Sequence, residues 1–142
     1  MANQSLGHIQ FRERFSEREH FADGALSLAA RKGIEIHTRS AFLQGLLLMQ
    51  PEAAAAKVPQ ATAPLAAWRS FLVAAGVSPL AAALGFVFEQ PEIARVVIGV
   101  HSAAHLAECL AAADSAYAMT DGKRFACDDI NVTDPRRWSS RG

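Results

Sequence analysis

The sequence has few cysteines and no excess of charge of either sign. It contains two cysteines in 142 residues, Cys109 and Cys127, and their spacing matches neither a zinc site nor a disulfide framework. Lysine plus arginine number 14, as do aspartate plus glutamate, so the net charge is zero. No basic stripe with interleaved aromatic residues is present, which excludes the usual electrostatic footprint of a nucleic-acid-binding protein. We therefore expect two reduced thiols and no nucleic-acid partner.

Long apolar runs are also missing. The longest, such as Leu46–Met49, fall far short of the roughly 20 residues that cross a bilayer. The N-terminal stretch MANQSLGHIQFRERF has no apolar segment of the kind found in secretory signals. These absences predict a cytoplasmic protein without a membrane partner.

What is present predicts one α/β domain. Hydrophobic residues make up 51% of the chain, enough for a real core. Helical spacing extends from Phe15 to Ala30, Gly33 ends it, and the β-branched run Ile34–Thr38 predicts a strand. A helix followed by glycine and a strand is typical of a parallel sheet.

The second half of the chain alternates helix and strand signals. Proline-bounded residues 51–64 predict a loop with at most one helical turn, and helices are expected over 64–75 and from Ser78 onward. The apolar run Arg95–Val100 predicts a strand covered on both faces. Ser102 is expected to cap a last helix that ends at about Ala113 and turns Leu106, Cys109, Leu110 and Ala113 inward. An irregular tail is expected over 120–142.

Two turns are candidate phosphate sites. Gly99, followed by the helix that Ser102 caps, would let a ligand approach free backbone amides. Ser40 to Gly45 follow a strand end, where ligands collect in α/β folds. An ordinary turn that binds nothing remains the alternative for both, and for the second it places Phe42 and Leu43 in the core.

Catalytic and metal sites are not indicated by the residues themselves. His101 and His105 are four residues apart and Glu108 follows, but no third ligand at suitable spacing completes a metal site. No nucleophile elbow or Ser-His-Asp arrangement is visible.

Two runs resemble the end of an aldo/keto reductase. Residues 39–47 read RSAFLQGLL, similar to the aromatic-Ser-Pro-Leu-x-x-Gly-Leu-Leu run of that family. Residues 98–109 read IGVHSAAHLAEC, similar to its Ile-Pro-Gly-x-x-Ser-x-x-x-Leu-x-Glu-Asn run. The resemblance covers roughly residues 9–113. It implies a partial (β/α)8 TIM barrel made of the last three βα units, strands 6 to 8 of the family.

The same resemblance implies NADP or NAD as cofactor and a set of residues that contact it. Ser40, Phe42 and Gln44 match positions near the nicotinamide side and the pyrophosphate, and Arg39 stands where the family has a stacking aromatic residue. His105 matches a position near the adenosine or its 2′-phosphate, and Cys109 replaces an asparagine that bonds adenine. The implied cofactor-binding set is Gln10, Ser40, Phe42, Gln44, Gly45, Gly99, Val100, His101, Ser102, His105, Glu108 and Cys109.

The resemblance assigns no catalytic residue to this chain. The family's Asp, Tyr, Lys and His lie on earlier strands, and Tyr117, the single tyrosine, does not match that position. We therefore expect residues 1–142 to form one cofactor-binding portion of a carbonyl reductase, inactive alone. The alternative is a non-catalytic interaction module, or half of a split enzyme. Such a module would assemble with a complementary N-terminal chain or with itself, through an open sheet edge.

Overall fold

The protein was analysed as a computed structural model. It describes residues 24–119 and 122–138, together with the backbone of residues 8–12. The strands are β1 (His8–Arg12), β2 (Glu35–Arg39) and β3 (Ile93–Val97). The helices are α1 (Ala25–Arg31), α2 (Pro51–Lys57), α3 (Thr62–Ala75), α4 (Pro79–Phe88), α5 (Ala103–Asp114) and α6 (Ile130–Thr133). The part of the predicted first helix before Gly24 and the irregular stretch after Trp138 lie outside the described residues.

The three strands form one parallel sheet in the order β1-β2-β3. Ile9 lies opposite Ile36 in the β1–β2 pair, and Ile36 lies opposite Ile93 in the β2–β3 pair. An irregularity between Ile36 and His37 shifts the β2–β3 register, so that His37 lies opposite Arg95. The predicted parallel context of β2 is therefore observed.

Several local signals work as the sequence predicts. Gly33 has a φ of 70°, just beyond the end of α1, and Gly76 has a φ of 64° at the end of α3. The Ser78 hydroxyl accepts a hydrogen bond from the Ala81 amide, with Pro79 at the first helical position of α4. Helix caps and left-handed glycines are local features, which is why the sequence alone locates them.

The loop predicted over residues 51–64 is wrong. Pro51–Lys57 forms α2, and a 3₁₀ turn over Pro59–Ala61 leads directly into α3. Proline fits the first turn of each helix because its missing amide hydrogen would have no partner there. Alanine, the strongest helix former, occupies the four residues Ala53–Ala56 of α2.

The main core lies between helices. Trp68 of α3 is fully buried, its indole Nε1 donates to the Leu47 carbonyl at 3.4 Å, and its ring meets Phe125 edge-on at 5.3 Å. The same cluster takes in Leu46 before α2 and Ala82 of α4. Trp138 packs against this core from the C-terminal segment and donates to the Val132 carbonyl at 3.0 Å.

The predicted partial barrel is wrong, although the α/β class holds. The described residues do not show three βα units of a barrel, since α2, α3 and α4 all lie between β2 and β3 and enclose the largest core among themselves. The described sheet has three strands of five residues each. No described side chain of these strands belongs to the largest core cluster. A run of β-branched residues predicts a strand, but the layers that cover it depend on contacts distant in sequence.

Exposure along β3 and α5 also differs from expectation. β3 was predicted to be covered on both faces, yet the Val97 residue is 45% exposed. Leu106 and Leu110 are 43% and 59% exposed, whereas Cys109 is buried as predicted. Helix α5 therefore packs against α4 through Ala112 and turns its two leucines outward.

Within the part of the chain that the structure describes, no single helix is long and apolar enough to cross a bilayer.

Candidate dinucleotide site

The carboxyl ends of the strands meet at one edge of the sheet. Arg12, Arg39 and Val97 lie side by side there, each the last residue of its strand. The turn that begins at Ser40 and the segment that leads from Ile98 to Ser102 both start at this edge. The structure thus brings the starts of the two predicted phosphate turns to the same side of the sheet, the side where α/β proteins bind ligands.

The turn after β2 has an unusual backbone. Ser40, Leu43 and Gln44 have φ values of 66°, 48° and 54°, and Gly45 follows at 81°. Left-handed conformations are uncommon in residues with a side chain and cost free energy. Three of them within five residues indicate that the surrounding packing holds this turn in place.

Packing on both sides explains why the turn keeps this shape. Leu43 and Leu46 are almost fully buried in the main core. The Ser40 carbonyl accepts from the Leu43 amide at 2.8 Å, and the Phe42 carbonyl accepts from the Leu47 amide at 3.3 Å. Gln44, in contrast, is exposed.

The amides at the exposed end of the turn have no internal acceptor. Those of Gln44 and Gly45 donate to none of the described residues. Successive backbone amides in a turn form a concave group of donors that suits an anion. We call residues 43–45 the amide nest. The sequence signal for it was the Gln44-Gly45 pair, but the left-handed φ values of Leu43 and Gln44 could not be predicted.

Phe42 is half-buried and links the turn to β3. It packs against the main core and also against the smaller cluster that contains Val96 and Ile98. The alternative interpretation of Ser40–Gly45 placed Phe42 and Leu43 in the core, and both do contribute to it. A core role for these two side chains leaves Gln44 exposed and the Gln44 and Gly45 amides without an acceptor among the described residues.

Helix α5 begins as the sequence predicts. The Ser102 hydroxyl accepts from the His105 amide at 3.0 Å, so the cap satisfies one of the first amides. The amides of Ala103 and Ala104 have no intrahelical partner, as in any first turn. Both residues are exposed, so this end of the 12-residue helix is open to a ligand.

Two histidines flank that helix start. The rings of His101 and His105 have their centroids 4.4 Å apart. His101 is exposed, while the Nδ1 atom of His105 is buried and has no hydrogen-bond partner among the described residues. Gly99 and Val100, on the approach to the helix, are also exposed, and a Cβ at Gly99 would meet nothing within 4 Å. Space for a ligand therefore exists along this segment.

The remaining predicted contact residues are placed differently. Cys109 is 1% exposed on the inner side of α5, and burial together with the nearby Glu108 raises the pKa of its thiol. Glu108 is exposed, two turns into the helix. Gln10 lies opposite His37 in β1, two residues before the carboxyl end of that strand. These three residues are not at the helix start or the amide nest.

A polar network on β2 was missed by the sequence analysis. His37 Nε2 and Arg95 Nε both donate to Glu35 Oε1, the second at 3.1 Å. These hydrogen bonds, first from His37 and then from Arg95, lower the pKa of Glu35. The alternation Glu-x-His-x-Arg from residue 35 to 39 is the signal that could have shown three polar side chains on one face.

Residues 24–119 and 122–138 contain no group of three or more His, Cys, Asp or Glu side chains that could hold a metal ion. His101, His105 and Glu108 thus do not form such a group.

Comparison with known proteins does not assign the chain. No family model matches the sequence, and no match was found among the curated proteins.

Proposed function

We propose that the chain binds the phosphate groups of a nicotinamide adenine dinucleotide, NADP or NAD, as the cofactor-binding portion of a carbonyl reductase. The observation that carries this proposal is the amide nest at the carboxyl end of β2, whose Gln44 and Gly45 amides donate to no acceptor among the described residues. The open start of α5 supplies a second group of donors at the same edge.

The donor chemistry fits a dinucleotide. A pyrophosphate carries negative charge on oxygens that accept hydrogen bonds, and both groups of amides are uncharged donors with free hydrogens. When bound, the nicotinamide would supply a hydride to a carbonyl; the residues described above would hold and orient its phosphates. The resemblance of residues 39–47 and 98–109 to aldo/keto reductases supports the same ligand.

The proposal includes no proton donor for reduction. The resemblance gives this chain no residue in the family's catalytic set, so we expect binding without turnover. A cytoplasmic location is part of the proposal.

Calorimetry with NADPH tests the proposal. We expect a dissociation constant on the order of 1 mM, about −4 kcal/mol, because two groups of amides contact only part of the ligand. Ser102→Asp should abolish binding by placing a negative charge beside the phosphates, whereas Ser70→Asp on the exposed side of α3 should leave it unchanged. Equal affinity in wild type and Ser102→Asp would contradict the assignment.

A second candidate function, self-association, is favoured by the exposed side of β3 and α5. β3 is an edge strand of the described sheet. Four apolar residues in β3, in the segment that follows it and in α5 are each more than 40% exposed: Val97, Val100, Leu106 and Leu110. Edge strands with apolar neighbours promote pairing with another chain. A second copy of this chain is the partner we propose; a complementary N-terminal chain is the alternative.

Light scattering separates self-association from a monomer. Leu110→Lys should convert the dimer to a monomer, and Val73→Lys, at an exposed apolar residue of α3, should not. A wild-type chain that is monomeric at high concentration would contradict the proposal.

A further inference from the structure

A buried tryptophan joins the main core to the turn that carries the amide nest. Trp68 of α3 is fully buried, and its indole Nε1 donates to the Leu47 carbonyl at 3.4 Å. The two residues are 21 apart in sequence, so this hydrogen bond ties α3 to the segment that follows β2. It is a long-range contact that fixes where the turn lies relative to the core.

Leu47 belongs to the same hydrogen-bonded unit as the nest. Its amide donates to the Phe42 carbonyl at 3.3 Å, across the nest residues. The Leu48 amide donates to the Gly45 carbonyl at 3.0 Å. These two hydrogen bonds close residues 42–48 into one turn, so a displacement of Leu47 also displaces the nest.

The indole ring of Trp68 is itself held in one orientation. Phe125 meets it edge-on with the ring centroids 5.3 Å apart, and Phe71 stacks on it at 6.1 Å. Both aromatic residues pack in the main core. A ring packed on two sides in a dense core does not turn freely, so its Nε1 hydrogen keeps a fixed direction.

The turn needs an anchor because its backbone conformation is costly. Leu43 and Gln44 have left-handed φ values of 48° and 54°. Such residues persist only where the surrounding structure determines their conformation. The buried Leu43 side chain is one anchor, and the hydrogen bond from Trp68 to Leu47 is a second anchor beyond the nest.

We propose that Trp68 is a positioning residue for dinucleotide binding, which its hydrogen bond to Leu47 supports by holding the Gln44 and Gly45 amides in place. Trp68 is fully buried, so it acts through the backbone of the turn and not by contact with the ligand. The inference rests on the proposed function for its ligand. The hydrogen bond acts on the turn whether or not a ligand is bound.

Trp68→Phe tests the proposal, because it keeps an aromatic ring and removes the Nε1 hydrogen. We expect the amide resonances of Gln44 and Gly45 to move in the ligand-free protein. NADPH binding should weaken about fivefold, as expected for the loss of one hydrogen bond. The matched control is Trp138→Phe, which removes the same hydrogen from a bond to the Val132 carbonyl at 3.0 Å. That variant should leave both resonances and the affinity unchanged.

Native-state hydrogen exchange of the wild-type chain tests the same link without a core substitution. The Trp68 indole hydrogen and the Leu47 amide should open with the same free energy, because the turn and the indole separate together. A Leu47 amide that exchanges much faster than the Trp68 indole overturns the proposal, even where Trp68→Phe does not fold.

The two variants supply the other contradicting results. Fixed resonances of Gln44 and Gly45 in Trp68→Phe overturn the positioning role, and so do equal movements in Trp138→Phe. A wild-type chain that binds no NADPH contradicts the proposed function instead. The resonances of the ligand-free protein then still decide whether Trp68 positions the nest.

Discussion

The backbone of Tyr117 lies directly against Gly85 of α4. A Cβ added to Gly85 would be 1.9 Å from the Tyr117 carbonyl oxygen, a distance that real atoms do not reach. The Tyr117 amide donates to the Ala81 carbonyl one turn earlier, at 3.3 Å. Glycine at residue 85 therefore lets the segment after α5 cross α4 closely, and α5 is held in place beside it.

Gly85→Ala should destabilise the fold. The obstructing atoms are backbone, so the two segments must separate, and overpacking of this kind typically costs about 1–3 kcal/mol or more. Urea denaturation measures the loss. The control Gly99→Ala adds a methyl group to open space and should change the free energy of unfolding by less than about 0.5 kcal/mol. Equal stability of Gly85→Ala and wild type would contradict the observed packing.

The two cysteines should differ sharply in reactivity. Cys109 is buried and its thiol pKa is raised by burial, so the nucleophilic thiolate is scarce. Cys127 is half-buried. We expect iodoacetamide to label Cys127 first and Cys109 only in denaturant, as read by mass spectrometry with Cys127→Ser as the control. Rapid labelling of Cys109 in the native protein would show that α5 does not pack as described.

The Glu35 network should make stability depend on pH in the acid range. The folded-state pKa of Glu35 is below its ordinary value of 4.5, so its contribution is present above about pH 4.5. It is lost as the pH falls through the lower folded-state pKa. The stability advantage of wild type over Glu35→Gln should therefore shrink as the pH falls below about 4.5, as measured by the midpoint of thermal unfolding. A difference between the two proteins that does not change with pH would contradict the network.

The purified chain should not reduce aldehydes or ketones with NADPH. General acid catalysis needs a donor within hydrogen-bond reach of the carbonyl oxygen, and the resemblance provides none. The decrease in NADPH absorbance at a saturating concentration of the carbonyl substrate measures turnover. An extract of the same host without this chain is the control. Activity that co-purifies with the chain and exceeds this control would overturn the expectation.

Short-range features of this protein could be predicted from its sequence, and long-range ones could not. Ser78, Ser102 and Gly76 mark helix ends through contacts within a few residues, and each is found there. The exposure of Val97 in β3 and of the two leucines of α5 depends on which elements pack together. Leu106 and Leu110 were predicted to be buried because they are apolar. They are exposed because α5 packs on α4 through Ala112 instead.

The candidate site shows the same division. The two turns were predicted from Gly45, Gly99 and Ser102, and the parallel sheet brings their starts to one edge. The left-handed Leu43 and Gln44 arise because Leu43 is anchored in a core built from α2, α3 and α4. No local propensity favours that conformation, so the amide nest becomes visible only in the structure.

Amide chemical shifts during an NADPH titration test the central claim most directly. Millimolar binding is within reach of this method, and it reports which amides meet the ligand. We predict saturable shifts concentrated at Gln44, Gly45, Ala103 and Ala104, all of them absent in Ser102→Asp. Shifts that stay below detection at these four amides, or that saturate elsewhere while these four stay fixed, would contradict the assignment of a dinucleotide site.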